Sequence, residues 1–165
     1  MGDTLKLTPH ETLTIVRSEP AVLEVEAEWG PKGRPPPPHY HPQQDEHFEV
    51  LAGELRAKLD GEETTLRAGD TLHVPRGTKH QMWNASAAEA RARWETRPAG
   101  RTEQWFRAVD RAIAEASGKM PGAVTMLTLI DEYDDTIRLA MGPEKLTRQV
   151  TGAIGAIGRK RGVKR

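Results

Sequence analysis

The chain contains no cysteine. Disulfide scaffolds, thiolate zinc sites, iron–sulfur clusters and cysteine nucleophiles are thereby excluded, and any bound metal must rest on His, Asp or Glu. Charge of one sign is missing too. Lys and Arg number 24, Asp and Glu number 24, and the formal net charge is zero. The broad electrostatic footprint of a nucleic-acid-binding domain is absent, so no nucleic-acid partner is expected. Long apolar runs are lacking as well. The longest uncharged apolar stretch, around Met120 to Ile130, is about half the ~20 residues a membrane-spanning helix needs. The opening MGDTLKLTPH has no basic region followed by an apolar segment, and Lys6 stands where a myristoylation pattern wants Ser or Thr. These features predict a soluble cytoplasmic protein with no membrane partner.

What remains is 165 residues, suited to one domain or to one domain with an appendage. Up to Pro98 the hydrophobic pattern alternates. Leu23, Val25, Ala27 and Trp29 take one face against Glu24, Glu26 and Glu28 on the other; Ala90, Ala92 and Trp94 oppose Arg91, Arg93 and Glu95. This is the period of half-buried strands. Asp60-Gly61 between two alternating runs predicts a tight hairpin, and Gly69-Asp70 and Pro75-Arg76-Gly77 mark further reversals. Many short strands at this spacing predict an antiparallel sandwich or barrel.

After Gly100 the period becomes helical. Trp105, Val109, Ala112, Ile113 and Ala116 share a face, and Gly118 ends the run. A second helix is expected after Pro121, carrying Met126, Ile130, Tyr133, Ile137 and Met141 on one side. A third is expected after Pro143, with an apolar stripe of Leu146, Val150, Ala153, Ile154 and Ile157. Each stripe needs a partner: another helix, the barrel or a second subunit. The expected division is therefore a barrel over 1–98 and a helical C-terminal extension over 99–165. Gly152, Gly155 and Gly158 follow no strand, which favours close helix packing or a fraying end over a nucleotide loop. The basic tail from Arg159 to Arg165 is expected to be solvated.

Three histidines and a glutamate stand at informative spacings. His39 and His41 are two apart, so on a strand they point the same way. Pro42-Gln43-Gln44 offers a break after which Glu46 restarts inward on a neighbouring strand, with Phe48 and Val50 on its face and His47 and Glu49 away from it. His80 opens another strand after the Pro75-Arg76-Gly77 turn. Three neutral imidazoles and a carboxylate converging in a barrel make a nitrogen-rich site for a divalent transition metal. The Pro35 to Pro38 run, expected to be extended polyproline II, presets the path into the first of these strands. Tyr40 and His47 are expected to face away from the site. His73 is ambiguous, and Phe48, Met82 and Trp94 are expected in the core, some of them lining any pocket above the metal.

The full pattern resembles the cupin signature. The first cupin motif, G-x5-H-x-H-x4-E-x6-G, is matched by Gly33, His39, His41, Glu46 and Gly53. The second, G-x5-P-x-G-x2-H-x3-N, is matched by Gly69, Pro75, Gly77, His80 and Asn84. The resemblance runs from about 33 to 84 by motif and from 10 to 98 by strand pattern. It implies a mainly β fold, a jelly-roll-like antiparallel β-barrel followed here by C-terminal α-helices. It also implies that His39, His41, Glu46 and His80 ligate one divalent metal (Fe, Mn, Zn, Ni or Cu), with positions left open for a small-molecule substrate or ligand. Cupins commonly associate in pairs, which implies a homodimer with the helices covering the barrel or joining the interface.

Cupin chemistries are too varied for family membership to name the reaction. Two functions are carried forward. One is a metal-dependent enzyme of oxygenase or isomerase type acting on a small organic molecule, with Glu46 as candidate catalytic base. The other is a non-catalytic, metal-assisted binding or sensor module.

Overall fold

A computed structural model describes residues 2–160 together with Gly162 and Val163; Arg161, Lys164 and Arg165 of the expected basic tail lie outside the described residues. In chain order the elements are β1 (Thr4–Thr8), β2 (Glu11–Glu19), β3 (Val22–Trp29), β4 (His39–Tyr40), β5 (Asp45–Ala52), β6 (Glu54–Leu59), β7 (Glu62–Arg67), β8 (Thr71–Val74), β9 (His80–Trp83) and β10 (Ala90–Arg97). They are followed by α1 (Thr102–Glu115), α2 (Ala123–Glu132), β11 (Arg138–Leu139) and α3 (Glu144–Lys160).

The strands form two antiparallel sheets, one in the order β1-β2-β3-β10-β5-β8 and one in the order β11-β4-β9-β6-β7. The alternation read from the sequence puts Val25, Ala27, Phe48, Val50, Ala92 and Trp94 between the sheets. The Glu and Arg residues on the other face pair across strands, Arg93 reaching both Glu24 and Glu49. Leu59 and Glu62 are register partners across the predicted hairpin, with Asp60 and Gly61 both at positive φ, as a two-residue primed turn requires. The two motif ends are tied together. Gly33 N–H donates to the Asn84 carbonyl at 2.7 Å. Buried Asn84 donates from Nδ2 to the carbonyls of Trp29, Gly30 and Ala88 and accepts from the Ser86 amide.

The helices share the barrel's core. Trp105, Phe106, Val109, Ala112 and Ile113 of α1 are buried, and Phe106 packs on Trp94 with ring centroids 5.1 Å apart. One expectation needs correction. The second helix was expected to carry Ile137 and Met141, but α2 ends at Glu132 and the chain turns into β11, which pairs antiparallel with β4. Arginine side chains take the carbonyls there in place of further helix: Arg101 Nη1 donates to Glu132 O at 3.1 Å, and Arg138 Nε donates to Asp134 O at 2.9 Å.

Within one chain the apolar stripe of α3 is covered neither by another helix nor by the barrel, which leaves a second subunit among the partners expected for it. Leu146, Val150 and Ile157 are 57%, 50% and 47% exposed, whereas Thr151, Gly155 and Gly158 are buried. The helix packs on α2 through its smallest residues. A Cβ on Gly158 would overlap Thr128, and one on Gly155 would stand 2.6 Å from Asp131 Oδ2. Close approach of the two backbones outweighs burial of the larger side chains. The glycines serve packing, as the sequence favoured.

Candidate metal centre

The four expected residues come from both sheets. β4 and β9 are neighbours, with His39 and His80 as direct register partners. His41 follows β4 in the segment leading to β5. Glu46 stands on β5 in the opposite sheet, so the break at 42–44 carries the chain across the barrel. Phe48 and Val50 share its buried face and His47 is exposed, as expected. His39 is half-buried, while His41, Glu46 and His80 are buried.

Potential ligand atoms of His39, His41 and His80 all lie within 4.8 Å of one another. Each Nδ1 meets a backbone carbonyl: His39 that of Pro37 at 2.9 Å, His41 that of Thr136 at 2.7 Å, and His80 that of Thr78 at 3.0 Å. A carbonyl only accepts, so each Nδ1 carries the hydrogen, and each neutral ring presents a bare lone pair at Nε2. Glu46 Oε1 accepts from the Trp94 indole N–H at 3.1 Å and lies 3.3 Å from His41 Nε2; Oε2 lies 3.0 Å from His80 Nε2. His41 Nε2 and Glu46 Oε2 are buried with no hydrogen-bond donor. Acceptors face acceptors, and only a cation or shared protons can satisfy them. The donor set, three imidazole nitrogens and one carboxylate oxygen, fits a divalent transition metal.

The electrostatics agree. Burial, with His80 and His41 adding to it, pushes His39 down to about 3. Burial also lowers His41, against the pull of Glu46. Burial works to raise the Glu46 carboxyl, but His41 and His80, with His39, bring it down to about 2. His80 is raised despite burial, because Glu46 favours its protonated form. The cluster thus holds a carboxylate and imidazoles that, His80 apart, resist protonation.

Two contributors were not identified from sequence. The Thr136 carbonyl belongs to the extension, 95 residues from His41, and no local signal points to it. Trp94 was expected as core or pocket lining and not as a partner of Glu46; that a buried indole N–H needs a partner is the signal that leads to Glu46. His47 and His73, register partners on β5 and β8, stack at 4.4 Å outside the barrel and play no part in the cluster.

Comparison with known proteins places this arrangement. A family model described as a cupin domain matches residues 25–94, a span holding both histidine-bearing strands, Glu46 and Trp94. The chain carries a cupin domain. The cupin segment is 35% identical over 79 residues to quercetin 2,3-dioxygenase from Bacillus subtilis, covering 48% of this chain and 22% of that protein. It is 51% identical over 49 residues to oxidoreductase iacF from Pestalotiopsis fici, covering 29% of this chain and 24% of that one. The chain thus spans about a quarter of the length of these curated relatives. Among solved structures, KdgF from Halomonas sp. is similar with a TM-score of 0.53 and 25% identity, over 58% of this chain and 87% of that one. The matched region ends before the helices begin, so Phe106 and Thr136 lie beyond it. No helix among the described residues is long and apolar enough to cross a membrane.

Proposed function

We propose that this cupin is a metal-dependent enzyme, of oxygenase or isomerase type, acting on a small organic molecule. One divalent transition metal (Fe, Mn, Zn, Ni or Cu) is held by His39, His41, Glu46 and His80. The observation that carries this is the convergence of three histidines on Glu46, with His41 Nε2 and Glu46 Oε2 buried and lacking a hydrogen-bond partner. When bound, the metal supplies a Lewis acid able to polarise an oxygen of the substrate. The imidazoles hold it as neutral donors, their tautomers set by the three carbonyls. Glu46 is ionised at neutral pH, and its Oε1 is engaged by Trp94. Oε2 is therefore the oxygen that would face the metal, and a small displacement off it would let the same oxygen take a proton from bound substrate. Similarity to a dioxygenase and an oxidoreductase over the cupin segment supports the oxygenase form.

Metal analysis of protein purified without added metal or chelator, followed by an oxygen-uptake screen, tests the assignment. In Glu46→Gln the shape and one coordinating oxygen remain, while charge and basicity are lost. The variant is expected to keep much of its metal and lose turnover by roughly 100-fold or more, the usual worth of a positioned base. Turnover at the parent rate in metal-loaded Glu46→Gln would remove Glu46 from the mechanism.

The second reading, a metal-assisted binding or sensor module, draws on the contact between the extension and His41. Ligand affinity would then follow metal occupancy, with no separate catalytic loss.

We also propose a homodimer in which a second copy covers α3. Leu146, Val150, Ala153 and Ile157 recur at intervals of 4, 3 and 4, the spacing of a coiled-coil seam. Val150 and Ile157 fall on one seam position and Leu146 and Ala153 on the other. The flanking Thr147, Gln149, Ile154 and Ala156 are uncharged, so self-pairing sets no like charges across the seam. An antiparallel pairing keeps the basic ends at Arg159 and Lys160 of the two copies apart.

A further inference from the structure

We infer that the C-terminal extension completes the metal centre, its Thr136 carbonyl and Phe106 ring positioning two of the four ligands. The inference rests on the metal reading above and concerns residues outside the segment that matches the cupin model.

The three histidines differ in who orients them. His39 and His80 each donate from Nδ1 to a carbonyl two residues back, Pro37 and Thr78. Their own strands set their tautomers. His41 has no such local partner; its Nδ1 donates to Thr136 O at 2.7 Å, and both residues are buried. That carbonyl is put in place by the turn that ends α2. Thr136 and Ile137 N–H groups both donate to Tyr133 O, and the chain then runs alongside β4, with Arg138 opposite Tyr40, Leu139 opposite His39, and Ala140 N–H donating to Pro38 O at 2.8 Å. The strand bearing His39 is thus held between β9 and β11. Arg138 clamps the turn, donating to the Asp134 carbonyl and carboxylate and to Glu144.

Glu46 is reached by a second route. Its Oε1 accepts from Trp94 Nε1. The Trp94 ring is wedged between Phe48 of β5, at 5.2 Å, and Phe106 of α1, at 5.1 Å. The indole therefore cannot turn its N–H away from the carboxylate without displacing a helix residue that is 2% exposed. Oε1 stays occupied, and Oε2 is the oxygen left for the metal. Outer partners of this kind fix ligand orientation, and their removal typically costs 10–100-fold in metal affinity.

The test uses the full chain and Co2+ as probe, read by its visible absorption and by competition with Zn2+. Trp94→Phe removes the N–H and keeps an aromatic ring between Phe48 and Phe106. Ala140→Pro removes the bond to Pro38 and loosens the Thr136 turn from β4. Both are expected to weaken Co2+ binding by about 10–100-fold and to shift its visible bands. Ala112→Gly, on a buried α1 position, is expected to lower the apo melting temperature and leave Co2+ affinity at the parent value. His39→Ala marks the loss of a ligand itself. If His39→Ala abolishes binding while Trp94→Phe and Ala140→Pro bind with parent affinity and parent spectrum, the inference fails and the metal centre stands. If affinity falls in Ala112→Gly as far as in the other two, the extension acts through stability alone and the inference fails. A parent protein that binds no Co2+ or Zn2+ overturns the metal reading and this inference together.

Discussion

Replacing Gly158 by alanine should destabilise this protein, although the same change in most helices does the opposite. Alanine is favoured over glycine in a helix interior by about 1 kcal/mol, so propensity alone predicts a gain. The packing of α3 on α2 reverses the sign. A Cβ at Gly158 would overlap Thr128 Oγ1 and stand 3.1 Å from Thr128 Cβ. Thr128 is buried, and its hydroxyl donates to Val124 O at 2.7 Å. Rotating the hydroxyl clear leaves a buried donor without a partner, at about 1–3 kcal/mol. Leaving it in place forces the helices apart, at a similar cost of about 1–3 kcal/mol. The net expectation is a loss of about 1–2 kcal/mol, a melting temperature lower by roughly 2–8 °C for a chain of this size. Gly152→Ala is the control, because its Cβ would meet only Asp131 Oδ1, at 3.3 Å; it should be neutral or mildly stabilising. Thermal melts by circular dichroism on Gly158→Ala, Thr128→Ala and the double variant complete the cycle. The double variant should recover at least ~1 kcal/mol relative to additivity, since neighbours in contact couple. A Gly158→Ala protein that melts at or above the parent temperature, or a cycle that is additive, would refute close packing at this seam.

Other outcomes follow from the same structure. Alanine at His39, His41 or His80 should each strongly weaken divalent-metal binding measured by metal analysis after dialysis, and acid should release the metal as protons compete for the imidazoles; unchanged retention in all three variants would sink the ligand assignment. Leu146→Glu and Val150→Glu should convert a dimer to a monomer in sedimentation equilibrium without lowering the helix content, and a parent that sediments as a monomer would rule out the α3 pairing. Burial raises the Glu11 carboxyl to about 7, against a hydrogen bond from Trp29 that lowers it. Its folded value lies above the unfolded one, so the stability it contributes is full below about pH 4.5 and is lost as pH rises through about 7. Glu11→Gln should flatten the fall in melting temperature across that window, and a curve parallel to the parent's would dismiss Glu11 as its source.

The barrel was legible because its signals are local. Alternation of apolar and charged residues sets which side of each strand is buried, and Asp60-Gly61 admits the positive φ values that join β6 to β7. Helix α1 was legible for the same reason. The end of α2 was not. Apolar residues continue at helical spacing through Ile137 and Met141, and nothing nearby announces that Arg101, thirty-one residues earlier, will take the Glu132 carbonyl. The stripe on α3 did not reveal which face of the helix meets α2. Hydrophobic periodicity reports which residues seek burial, but the face that meets α2 was decided by how closely two backbones can approach. Glycines at 155 and 158 gave the tighter fit.

The site divides along the same line. The spacing of His39, His41, Glu46 and His80 was readable because strand geometry and turns place them, and those are properties of short segments. Their support is not. Trp94 reaches Glu46 across forty-eight residues, and Thr136 reaches His41 across ninety-five. A motif records the atoms that face the centre; it does not record the carbonyl or indole behind them, because a backbone carbonyl is supplied by any residue type and leaves no mark in composition. The helices are therefore more than a cover for the barrel. By closing β4 with β11 and backing Trp94 with Phe106 they put the second row of contacts behind two of the four candidate ligands, which is why metal affinity, more than overall stability, is the quantity that will report what the extension does.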